Sequence, residues 1–105
     1  MSLVKILDIN VNLLKKATTK TSNDELSHEI EGKLAQFHDM DGLPYEKSDM
    51  IELISSIEID KVKCMKGEIT AKRLYCDVDY ALSLFRIKHP GFDYMKDPAL
   101  NAYFS

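Results

Sequence analysis

Apolar side chains return every third or fourth residue along this chain, over stretches long enough that packed helices are the way to bury them together. In the clearest stretch, Leu26, Ile30, Leu34 and Phe37 share one helix face behind the opening Ser22-Asn23-Asp24-Glu25. That opening is a capping box. The Ser22 hydroxyl is placed to accept from the backbone N–H three residues on, and Glu25 is placed to reach back. Asp24, Glu25 and Glu29 also sit near the positive end of the helix dipole. Gly32 costs the helix about 1 kcal/mol relative to alanine, which points to close packing at that position.

Three further segments carry the same period. Leu3, Ile6, Leu7, Leu13, Leu14 and Ala17 fit a first helix, although Ile9-Asn10-Val11-Asn12-Leu13 also alternates as a strand does. Residues 3–13 are therefore open to both readings, with helix expected, and Thr18–Thr21 reads as a connection. After the break at Asp41-Gly42-Leu43-Pro44, a helix is expected from Ser48, whose hydroxyl is placed to cap it. Met50, Ile51, Leu53, Ile54 and Ile57 form its apolar side. Its course over residues 57–65 is open, because Ile57-Glu58-Ile59 alternates. Gly67 punctuates that segment. Then Ala71, Leu74, Tyr75, Val78, Ala81, Leu82 and Phe85 define a strongly amphipathic helix ending before His89-Pro90-Gly91. This places Tyr75 and Phe85 in the core and His89 at a helix end, against the terminal carbonyls. Residues 89–105 show no period but contain Phe92, Tyr94, Tyr103 and Phe104. The expected fold is all-α: one domain over residues 1–105, a small bundle of about four helices with short loops and an irregular aromatic tail.

The charge is distributed unevenly. Residues 22–60 hold eleven acidic side chains against Lys33 and Lys47, a balance of −9, while residues 1–21 and 61–105 each carry +3. Such a field governs association rather than fold. No apolar run approaches the roughly 20 residues that cross a bilayer, and the first residues do not read as a signal peptide. Cys64 and Cys76 match no metal or redox spacing and read as reduced thiols. A cytoplasmic protein with no cofactor and no membrane contact is the expectation.

Few constellations carry chemistry. Aligning an EF-hand loop on Gly42 puts Phe37 at the first ligand position and Ser48 at the twelfth, which excludes it. Glu25 and His28 form one Glu-x-x-His pair of the type found at carboxylate-bridged metals, where two such pairs are normal. Glu46 and Asp49 are a carboxylate pair suited to magnesium, equally explained as first-turn acids. There is no nucleophile motif and no glycine-rich phosphate loop.

The resulting expectation is a non-enzymatic regulatory or inhibitory protein that binds a protein partner. Its contact would be an acidic helical surface of Glu25, Glu29, Glu31, Asp39, Asp41, Glu46, Asp49 and Glu52, suited to a basic groove that otherwise holds nucleic acid. An alternative is nucleic-acid binding by the basic and aromatic C-terminal third, through Lys72, Arg73, Arg86, Lys88, Tyr94 and Lys96. In that reading, Ile69–Leu74 and Tyr80–Lys88 would form a helix-turn-helix with its turn near Asp77. A second alternative is a helical metal-dependent enzyme using Glu25 and His28. Self-association, as a dimer first, suits a core this small.

Overall fold

The computed structural model describes residues 3–7, 23–34 and 43–104, with side chains described within 5–7, 28–34 and 43–104. Among these residues all regular structure is helical: α1 (Leu3–Leu7), α2 (Asn23–Leu34), α3 (Lys47–Met65), α4 (Ala71–Lys88) and α5 (Pro98–Phe104). The expected small all-α bundle is what forms. The continuation of the first helix to Ala17, the Thr18–Thr21 connection, the Ser22 cap and Phe37 lie outside the described residues.

α3 and α4 make the most extensive helix pair, and α2 packs on both α3 and α5. The alternation at Ile57-Glu58-Ile59 does not make a strand, and α3 runs unbroken to Met65. Ile57 and Glu58 are both buried there, because the helix is covered on more than one side. It starts two residues earlier than a Ser48 cap would set. Glu46 holds the extended backbone of an N-cap without a side-chain cap bond, and its carbonyl accepts from the N–H groups of Asp49 and Met50. Ser48 is left exposed in the first turn.

At the other end of α3, Gly67 has φ +79°, the left-handed conformation that glycine adopts without a Cβ clash. The Gly67 N–H donates to the Cys64 carbonyl at 3.1 Å and the Glu68 N–H to the Lys63 carbonyl at 2.9 Å. These two bonds make a Schellman motif, which satisfies terminal carbonyls while reversing the chain. Thr70 then caps α4, its hydroxyl accepting from the Arg73 N–H at 3.1 Å. The reversal lays α4 antiparallel on α3, with Asp49 beside His89 and Asp60 within electrostatic reach of Asp77.

Leu74, Val78, Leu82 and Phe85 of α4 enter the core with Met50, Leu53, Ile54 and Ile57 of α3. Tyr75 does not; it is exposed, because it stands about 100° round the helix from Leu74 and off the contact stripe. The tail is more regular than its sequence period implied. Asp97 caps α5, its Oδ2 accepting from the Leu100 N–H at 3.0 Å, and Pro98 takes the first helical position, where its missing N–H has no consequence. Ala99 and Leu100 are buried beneath. Tyr45 locks this end to the bundle: its hydroxyl donates to Asp97 Oδ1 and Oδ2 at 2.7 and 2.8 Å, and its ring meets Phe85 and Phe92 edge-on.

Gly32 is not a close-packing site, since a Cβ there would meet nothing within 4 Å. Gly91 is one, because its Cβ would stand 3.0 Å from the Pro44 Cβ. Gly32→Ala is therefore expected to stabilise the protein by about 0.5–1 kcal/mol, and Gly91→Ala to destabilise it by about 1–3 kcal/mol. Thermal melting of the two variants reads both signs. Tyr45→Phe, which leaves the buried Asp97 carboxylate without its hydroxyl donor, is expected to cost about 1–3 kcal/mol in urea denaturation.

Candidate functional site

The acidic residues from the sequence do not gather into one face. Asp39 and Asp41 lie outside the described residues, as does the Glu25 side chain. On α2, Glu31 is exposed and Glu29 is half-buried. Glu29 is turned toward α5, where its charge acts on the Tyr103 phenol. Glu46, Asp49 and Glu52, by contrast, follow one another at intervals of three along the start of α3. Asp49 and Glu52 border a groove of about 200 Å³ between α3 and α4. Its apolar lining comes from Leu53, Ala81, Leu84 and Phe85, and Lys88 and His89 close one end. His89 Nε2 stands 3.6 Å from Asp49 Oδ2, and its ring lies 4.6 Å from Phe85 centre to centre. The His89 ring therefore faces this groove rather than the helix-end carbonyls.

Further along the same helix pair, burial and then the neighbouring Asp77 carboxylate hold the Asp60 carboxyl above the usual aspartate range, against the opposing pull of Lys63 and Arg73. Asp77 itself accepts two bonds from Arg73 Nε, each 3.1 Å. The groove edge is thus acidic at Asp49 and Glu52, with Lys88 and His89 at one end.

The basic residues scatter. Lys72 and Arg73 stand at the start of α4, roughly 20 Å along the helix axis from Arg86 and Lys88. Lys88 opens onto the acid-edged groove, whereas Arg86 lines a separate cavity of about 360 Å³ with Leu82, Phe92, Tyr94 and Met95. Asp79 and Asp93 line that cavity too, so a phosphate there would meet two carboxylates beside one guanidinium. Tyr94 is half-buried against the core and Lys96 is exposed. No turn interrupts α4 near Asp77, so the helix-turn-helix reading is overturned: residues 71–88 are one continuous helix. The period of three and four runs straight through Asp77, and nothing there ends it.

His28 is exposed on α2. Among the described residues, no group of three or more His, Cys, Asp or Glu side chains could hold a metal ion, and no helix is long and apolar enough to cross a membrane. Cys64 is half-buried, Cys76 is exposed, and both are free thiols.

One further charged pair comes together out of water. Lys61 Nζ lies 3.3 Å from Glu58 Oε1, with each side chain only 4% exposed. The same ammonium sits 4.7 Å above the Phe104 ring, and Lys33 sits 5.0 Å above Tyr103. Burial raises the Glu58 carboxyl above the usual glutamate range, opposed by Lys61 and Lys33. Burial, then the charges of Glu58 and Glu29, raise the Tyr103 phenol. This cluster fastens α5 to α2 and α3, and the closure of its Glu58–Lys61 pair to water makes that pair structural.

Sequence reasoning missed three features. Asp97-Pro98 is a helix-start signal within the tail. Thr70 stands where a helix cap belongs. Tyr80, Leu84 and Ile87 repeat at four and three on the side of α4 away from the core, and all three are exposed. Comparison with protein-family models, with curated proteins and with solved structures returned no match.

Glu58→Leu is expected to cost about 3–5 kcal/mol by removing the carboxylate that faces the buried Lys61 charge, while Glu58→Leu with Lys61→Met returns to within about 1 kcal/mol of the parent. A urea-denaturation double-mutant cycle measures this coupling. The folded protein also binds a proton at Glu58 at higher pH than the unfolded chain does. That group's contribution therefore rises as pH falls from above its raised pKa to the ordinary glutamate range, and is constant below. Melting temperatures of the parent and Glu58→Gln should accordingly diverge in the parent's favour as pH falls toward the ordinary glutamate range, about pH 4.

Proposed function

We propose that this protein acts by binding a protein partner, as a regulatory or inhibitory subunit, through the acid-edged groove between α3 and α4. The observation that carries this reading is the position of Asp49 and Glu52 beside the apolar side chains of Leu53, Ala81 and Leu84. Apolar area supplies affinity, and carboxylates at the rim favour a basic partner and speed its approach. A partner whose basic surface otherwise holds nucleic acid would be blocked by such contact. Glu46, at the open start of α3, extends the same negative edge.

The nucleic-acid reading has less support, because Arg86 and Tyr94 share their cavity with Asp79 and Asp93. A phosphate backbone requires a row of cations without opposing carboxylates.

Affinity purification of the tagged protein from its host, with nuclease treatment, separates these readings. At about 0.05 M salt a stoichiometric protein partner is expected, released at about 0.5 M, where charges are screened within a few ångströms. The Asp49→Lys, Glu52→Lys double variant should lose that partner. Retention unchanged by salt and by these substitutions would sink the groove reading. Material released by nuclease would shift it to Arg86 and Tyr94.

A further inference from the structure

α4 carries a second apolar stripe on the side away from the core. Cys76, Tyr80, Leu84 and Ile87 follow at intervals of four, four and three, and all are exposed. Tyr80 is 65% exposed and Ile87 74%, high values for large apolar side chains lying in register on one helix. Isolated exposed apolar residues are ordinary, but an aligned stripe marks an interaction surface.

The charges beside the stripe indicate what covers it. On the groove side stand Asp77 and Lys88, and on the other side, at the cavity that Tyr94 and Met95 also line, Asp79 and Arg86. In each pair the acid lies toward the start of α4 and the base toward its end. Both pairs are centred on one point, midway between Leu82 and Ser83, and the apolar pairs Tyr80 with Leu84 and Cys76 with Ile87 are centred within one residue of it. A pattern with that centre matches itself when rotated by half a turn.

We propose that α4 pairs antiparallel with α4 of a second copy of this chain, about a two-fold axis at that point. The rotation sets Tyr80 against the partner's Leu84, Asp79 against the partner's Arg86, and Asp77 against the partner's Lys88, each contact occurring twice as an isologous interface requires. Asp77 is then shared with Arg73 of its own chain, which already donates to it at 3.1 Å, and Lys88 keeps its place at the end of the α3–α4 groove. A parallel pairing is opposed, since it would set Asp77 near the partner's Asp79 and Arg86 near the partner's Lys88, where like charges face one another. The antiparallel arrangement also holds the two Cys76 residues roughly 20 Å apart along the axis. This inference concerns a second copy rather than the basic partner; Leu84 and Lys88 belong to both surfaces, whereas Asp79 and Arg86 lie outside the groove, so exchanging those two tests the dimer alone.

Sedimentation velocity from about 1 µM to about 1 mM protein tests it. The parent chain is expected to pass from monomer to dimer in that range. Ile87→Asp should hold it as a monomer, with circular dichroism confirming that the helices remain. Asp79→Arg and Arg86→Asp should each weaken dimerisation about tenfold, and the two together should restore it to within about threefold of the parent. Mild oxidation should give no Cys76–Cys76 cross-link. A parent chain that stays monomeric throughout, a dimer indifferent to Ile87→Asp, a charge exchange that fails to restore association, or efficient Cys76 cross-linking would each overturn the proposal.

Discussion

The antiparallel packing of α3 on α4, turned by a glycine in the left-handed region, is the constraint on which the other described elements depend. Gly67 lets the chain reverse within a few residues while the last carbonyls of α3 remain bonded. Once the two long helices lie side by side, their apolar stripes form the centre of the core, and the edges of the pair are settled as well. Asp49 falls beside His89 and Asp60 near Asp77, so the charge along the groove follows from the turn. α2 and α5 then add to a surface that the hairpin has already shaped.

Two polar arrangements close the remainder. Tyr45 packs edge-on against Phe85 and Phe92, which touch each other, and its hydroxyl meets the carboxylate that caps α5. A single carboxylate, Asp97, thereby ends a loop, starts a helix and anchors a ring more than fifty residues earlier in the chain. On α3, Glu58 and Lys61 satisfy each other out of water, and cations from α2 and α3 lie over the two aromatic rings at the end of α5. Among the described residues no buried side-chain nitrogen or oxygen lacks a hydrogen-bond partner. Buried ionic groups of this kind specify a geometry more than they stabilise it, and the geometry here is the docking of the C-terminal helix.

Much of the helical scaffold was legible in the residues. The period through Leu74, Val78, Leu82 and Phe85 placed the long C-terminal helix and its core face, and Gly67 announced the turn before it. Other features were hidden for identifiable reasons. Ser48 looks like a cap, yet capping belongs to whichever residue stands at the change from extended to helical backbone, and that residue is Glu46. Tyr75 has the spacing of the apolar face but stands too far round the helix once α3 is in place. Gly32 reads as a packing signal, although nothing approaches it. The acidic block reads as one surface because sequence distance was taken for spatial distance. Folding sends Glu29 toward α5 and leaves Asp49 and Glu52 at the α3–α4 groove.

What the sequence determined by itself was local: which stretches are helical, where α4 stops and where the chain reverses. Those properties depend on residues within a few positions of one another, through apolar period, capping groups and glycine conformation. What only the tertiary structure decided was which faces meet. Burial of Glu58 with Lys61, the bond from Tyr45 to Asp97, and the exposure of Tyr80, Leu84 and Ile87 each depend on a neighbouring element covering one side of a helix and leaving another bare. A helix with two apolar stripes does not reveal in its own sequence which one enters the core. That choice falls to the stripe that α3 and the other helices can cover.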